Sequence, residues 1–194
     1  MRLSPPLPLP LTLATKITLG RVLLVPAFAI SLSYHRPDWA LFLFLLASLA
    51  DAADGHLARR RGEMTSLGAM LDPIADKLLM TAAYVLMGAS GEIPAWLAVL
   101  VVSRDVLLCL GCLVLFMTIG FRTPSPSILG KATAALQMVS VLAALAAEAA
   151  KADGGSWLPA LFAAAGALTA ASGIHYLFFV GARVIAQRET GGRP

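Results

Sequence analysis

Residues 48–80 read SLADAADGHLARRRGEMTSLGAMLDPIADKLLM. Here Asp51, Asp54, Asp72, Asp76, the run Arg59-Arg60-Arg61 and Lys77 interrupt a chain that is otherwise mostly apolar. LFLFLLASLA runs into this stretch, and TAAYVLMGAS follows it. Asp51 and Asp54 are three residues apart and Asp72 and Asp76 four apart, so on helices each pair shares one face. A helical hairpin then brings both pairs to one depth, just inside a membrane boundary. That reading sets the fold class: all-α and polytopic.

The rest of the chain agrees. It is 58% hydrophobic and 13% charged, with a mean hydropathy of +0.79. A soluble domain carries about 25% charged residues. Apolar stretches of about 20 residues, the length that crosses ~30 Å of hydrocarbon, recur along most of the sequence. Six spans fit: Ile17–Tyr34, Trp39–Ala53, Leu67–Ser90, Ala95–Gly120, Ala132–Ala150 and Trp157–Ile185. They form one integral-membrane domain over residues 1–194, with the proline-rich residues 1–16 as an interfacial lead-in. Ala27-Phe28-Ala29 looks like a signal-peptide cleavage site, but Arg21 leaves too short an apolar core before it. No internal repeat follows. Two cysteines make no disulfide framework.

Basic residues fix the expected orientation. With Arg59-Arg60-Arg61 in a cytoplasmic loop, alternating spans also place Arg2, Lys16, Arg21, Arg122, Lys131, Arg183, Arg188 and Arg193 inside. Only Arg36 and Lys151 fall outside, which obeys the positive-inside rule. Both termini and the aspartates therefore face the cytoplasm, and a bacterial inner membrane is the expected location. The net charge of +4 reads as this topology signal plus attraction to anionic lipid. Nothing forms the concentrated basic face of a nucleic-acid-binding protein.

Four ionised carboxylates in a small volume repel one another unless cations compensate them. Oxygen donors suit Mg²⁺ or Mn²⁺, and four carboxylates suffice to bridge two such ions. Gly55 and Gly68 remove side chains where a bulky ligand approaches the backbone. Ala58 keeps that face shallow, and Arg59 offers a fork of donors suited to phosphate. The combination describes a pocket for a diphosphate. The aspartates alone fit a proton or ion relay of a transporter equally well, because charge buried in a span is functional without being catalytic. Intramembrane prenyltransferases also use paired aspartates, but with more helices and a longer separation between motifs.

The complete spacing separates these readings. Asp51, Asp54-Gly55, Ala58-Arg59, Gly68, Asp72 and Asp76, with two, two, eight, three and three residues between them, match the signature of the CDP-alcohol phosphatidyltransferase family. The resemblance extends from Thr15 to the sixth span. TLATKITLGRVLLVP is similar to the family's first helix, with Thr18 and Arg21 in place and Thr15 where asparagine is common. LDPIADKLLM, VVSRDV and GKATAALQ resemble the subgroup of phosphatidylglycerophosphate synthases and eukaryotic-type cardiolipin synthases. The resemblance implies a six-helix membrane fold, a homodimer, and two divalent cations, Mg²⁺ or Mn²⁺, held by Asp51, Asp54, Asp72 and Asp76. It implies that Gly55, Ala58 and Gly68 line a cytidine pocket, that Arg59 contacts the diphosphate, and that Asp76 is the general base. The expected activity is transfer of a phosphatidyl group from CDP-diacylglycerol to an alcohol, with release of CMP.

The acceptor is expected to be of the glycerol-phosphate type. Arg21, Arg104 and Lys131 are candidates to bind its phosphate. On a plainer reading Arg104 neutralises Asp105 and Lys131 snorkels to headgroups. Asp105 itself resembles cardiolipin synthases, whose acceptor is phosphatidylglycerol, while glycerol 3-phosphate is the expected acceptor. Cys109-Leu110-Gly111-Cys112 sits mid-span with no second pair, which fits packing thiols. His35, His56 and His175 are scattered, and the small residues of 163–173 read as helix packing, with a dimer face as one place for it.

Overall fold

The described residues form six helices: α1 (Leu13–Ser33), α2 (Pro37–Arg61), α3 (Ser66–Ser90), α4 (Ala95–Ile119), α5 (Ile128–Ala149) and α6 (Trp157–Thr190). This computed structural model describes the backbone of residues 13–61, 66–119, 128–152 and 154–190. Side chains are described within 22–50, 77–111, 128–152 and 154–178, and at 113 and 117. The number and order of helices match the six expected spans. Their ends differ informatively. The Arg59-Arg60-Arg61 run, expected in a loop, lies in the last turn of α2. Ala, Leu and Arg are strong helix formers, and cations are favoured at a helix C-terminus. That composition carries the helix past Ala53.

The turns are closed by backbone hydrogen bonds. At the end of α1 the Arg36 N–H donates to the Ser31 carbonyl (2.9 Å) and the His35 N–H to that of Leu32 (2.9 Å). His35 adopts φ 51° to do so, a left-handed cap usually given to glycine. Pro37 then opens α2, where its missing N–H costs nothing. Lys151 repeats the device after α5 with φ 49°, and the Ala152 N–H donates to the Ala147 carbonyl (2.9 Å).

Two units divide within α3, residues 1–80 and 81–194. In the first, α1 packs on α2. Ala40, Phe44 and Ala47 recur at helical spacing and are fully buried, as is Phe28 opposite. The Phe28 and Phe44 rings meet at 5.8 Å. In the second, α6 packs on both α4 and α5.

The second unit buries polar residues beside an apolar core of Tyr84, Met87, Leu97 and Leu145. Thr133, Gln137, Ser140, Thr169, Ser172, Arg104 and Asp105 are buried, while Val99, Leu110 and Phe178 are exposed. Large apolar side chains exposed on several helices are what a bilayer-facing surface requires. Among the described residues, Ile128–Ala149 and Trp157–Phe178 are long and apolar enough to cross a bilayer. Val22–Ser33, Pro37–Ala50 and Lys77–Ser90 form shorter apolar segments.

Candidate active site

The eight signature residues fall on two helices. α2 runs unbroken through Asp51, Asp54, Gly55, Ala58 and Arg59, and α3 through Gly68, Asp72 and Asp76. The helical backbone preserves the spacings of three and four that the shared faces require. The side chains of these residues, and that of Arg21 on α1, lie outside the described residues. Among the described residues no group of three or more His, Cys, Asp or Glu gathers. The donor set on α2 and α3 consists of carboxylates alone, which suits hard divalent cations.

Arg104 and Lys131 are described, and they differ. Lys131 is exposed in the first turn of α5. Arg104 is 6% exposed. Its Nη1 donates to Asp105 Oδ1 at 2.8 Å and its Nη2 to the Ser172 hydroxyl at 3.2 Å. The plainer reading of Arg104 is thus realised: it compensates Asp105. Its Nε is buried with no hydrogen-bond partner among the described residues. Nε is therefore the guanidinium nitrogen that neither contact engages.

Arg104 stands beside a buried polar layer that the sequence reading did not single out. The Tyr84 hydroxyl on α3 donates to the Gln137 carbonyl on α5 at 3.1 Å. The Gln137 amide donates to the Thr169 hydroxyl on α6 at 3.0 Å, which in turn donates to the Ala165 carbonyl at 2.7 Å. Thr133 lies 2.8 Å from the Leu129 carbonyl and 3.3 Å from that of Leu168. The available signal was polar spacing: Thr133, Gln137 and Ser140 follow one another by four and three, and Thr169 and Ser172 by three. Such a stripe within an apolar helix turns toward other helices rather than lipid.

A family model of the CDP-alcohol phosphatidyltransferases matches residues 11–185. The chain belongs to that family. Family membership and the two long apolar helices make it a membrane protein. A Mycobacterium tuberculosis protein, provisionally named a cardiolipin synthase, is 34% identical over 123 residues, covering 63% of this chain and 58% of that protein. The CDP-diacylglycerol--glycerol-3-phosphate 3-phosphatidyltransferase of Bacillus subtilis is 35% identical over 109 residues, 48% of this chain and 56% of the relative. The protein of the same name in Cereibacter sphaeroides is 45% identical over 98 residues, 46% of this chain and 44% of the relative. This chain spans about half the length of the curated relatives it matches.

Proposed function

We propose that the protein transfers the phosphatidyl group of CDP-diacylglycerol to glycerol 3-phosphate. What carries this reading is the family match over residues 11–185 together with all eight signature residues in unbroken helices. The acceptor oxygen forms a bond to the lipid-bearing phosphorus, the phosphoanhydride bond breaks, and CMP leaves. Asp76 takes the proton from the attacking hydroxyl. Arg59 holds the diphosphate, and Gly55, Ala58 and Gly68 leave room for the cytidine. Asp51, Asp54, Asp72 and Asp76 would hold two divalent cations, which would supply positive charge where the transferred and leaving phosphates gather negative charge. The whole chain acts as one membrane domain, dimeric, with the site and both termini on the cytoplasmic side of a bacterial inner membrane.

Glycerol 3-phosphate is favoured by the names of the Bacillus subtilis and Cereibacter sphaeroides relatives. Phosphatidylglycerol, giving cardiolipin, is the second reading, favoured by the name of the mycobacterial relative. Either acceptor presents a phosphate to Arg21, Lys131 and the remaining donor of Arg104. The deciding experiment incubates purified protein with CDP-diacylglycerol, Mg²⁺ or Mn²⁺ and each acceptor separately, and measures CMP and the lipid product. CMP release with glycerol 3-phosphate alone establishes the first reading, and with phosphatidylglycerol alone the second. Absence of CMP with every acceptor sinks both.

A further inference from the structure

At the turn between α1 and α2 lies a groove of about 450 Å³. Ala27 and Ile30 of α1 and Leu43 of α2 form its apolar floor, and Tyr34, Arg36 and Trp39 stand at its polar end. Ser31 also lines it, but its hydroxyl is committed to the Phe28 carbonyl at 2.7 Å. Tyr34 and Trp39 are 75% and 54% exposed. The side chains of Tyr34, Arg36 and Trp39 have no ion-pair or hydrogen-bond partner among the described residues. Trp39 uses its ring against Phe42, edge-on at 6.1 Å, which leaves the indole N–H available. Asp38 lies outside the lining.

An open, mostly apolar depression bordered by a guanidinium, a phenol and an indole fits an amphipathic anion. Tyrosine and tryptophan of this kind sit at the membrane–water boundary, and arginine reaches the same level along its aliphatic stem. A free phosphate makes no use of the floor. Ile30, part of the apolar lining, is itself 57% exposed, so that lining is accessible from outside the protein. We propose that this groove binds one anionic phospholipid, its phosphate on Arg36 and the Trp39 N–H and an acyl chain along Ala27, Ile30 and Leu43. The site is separate from the aspartates. Trp39 and Asp51 are both in α2, twelve residues apart (51 − 39), or about 18 Å at the helical rise of 1.5 Å per residue. The inference rests on bilayer placement of the α1–α2 turn, not on the transferase reading.

The test uses the full chain with Trp96→Phe and Trp157→Phe, so that Trp39 is the only tryptophan of the original three. The protein is placed in zwitterionic vesicles containing a small fraction of phosphatidylglycerol or phosphatidylcholine brominated on its acyl chains. Bromine quenches tryptophan at contact range, so lipid held at the aspartates does not report. Brominated phosphatidylglycerol is expected to quench Trp39 at least twofold more strongly than brominated phosphatidylcholine. Arg36→Gln is expected to bring that ratio to one, with quenching by phosphatidylcholine and CMP release unchanged. Equal quenching by the two lipids before substitution overturns the site, as does a ratio that Arg36→Gln leaves intact. Quenching by neither lipid removes the bilayer placement of this turn and the site with it. CMP release from the same preparations judges the transferase reading independently.

Discussion

Asp76 is assigned two roles, ligand and base, and asparagine separates them. Asp76→Asn keeps the shape and one metal-facing oxygen but cannot accept the proton. Turnover is expected to fall by roughly 10²–10⁴-fold, the usual worth of a general base, with CDP-diacylglycerol binding retained. Asp54→Asn is expected to weaken metal and nucleotide binding together, because Asp54 is assigned as a ligand only. Parallel losses of nucleotide affinity in both variants, with the same metal dependence, make Asp76 a plain ligand. Arg104 raises a different question, since it serves Asp105 whatever else it binds. Removing one member of a buried ion pair strands the other at about 3–5 kcal/mol, whereas an apolar pair of similar volume is often neutral or stabilising. Arg104→Ala and Asp105→Ala are therefore each expected to lower the thermal midpoint in detergent, and Arg104→Met with Asp105→Leu to restore most of it. If Arg104 also binds acceptor, the restored double variant still shows a raised acceptor KM with that for CDP-diacylglycerol unchanged. Lys131→Ala, at an exposed position, is expected to raise the acceptor KM with no change in midpoint. An unchanged acceptor KM in both sinks the acceptor pocket.

The helices were legible because each has an apolar window bounded by residues that end helices. Pro37, Pro94 and the Gly154-Gly155 pair mark three of the boundaries. The overrun of α2 through Arg61 was not legible from hydropathy, which reports where a segment leaves the membrane rather than where its hydrogen bonds stop. The eight signature positions were legible because their meaning lies in spacing along two adjacent helices. The Tyr84–Gln137–Thr169 layer joins α3, α5 and α6, and its pairing depends on which helices become neighbours, which no local pattern encodes. The same dependence governs Gly88. A methyl group there meets the Ala98 Cβ at 2.7 Å, and neither atom can move without its backbone. Overpacking of this kind costs about 1–3 kcal/mol, while alanine returns up to ~1 kcal/mol of helix propensity over glycine. Gly88→Ala is expected to lower the thermal midpoint and Gly88→Ala with Ala98→Gly to recover it, because the second change clears the contacting methyl. A stabilised single variant contradicts this close approach of α3 and α4.

The orientation of the whole chain is argued from charge. Eleven basic residues fall on one side of the alternating topology and Arg36 and Lys151 on the other. Bias near span ends directs insertion because cationic loops resist translocation. Long helices do not by themselves fix which end is inside, so the assignment needs a vectorial probe. Replacing Cys109 and Cys112, the two cysteines of the chain, by alanine gives a background for single-cysteine variants. Both native thiols are expected to be dispensable. In intact cells a membrane-impermeant maleimide is expected to label Arg36→Cys and Lys151→Cys, each in a turn whose residue is exposed. Arg60→Cys and Arg188→Cys are expected to react only after permeabilisation. Labelling of positions 60 and 188 in intact cells reverses the topology. That outcome puts the aspartates on the face without soluble glycerol 3-phosphate, which leaves the lipid acceptor as the reading compatible with the site. Labelling of 36 and 188 together from outside means an even number of crossings between them instead of five, and one of α2 to α6 then does not span.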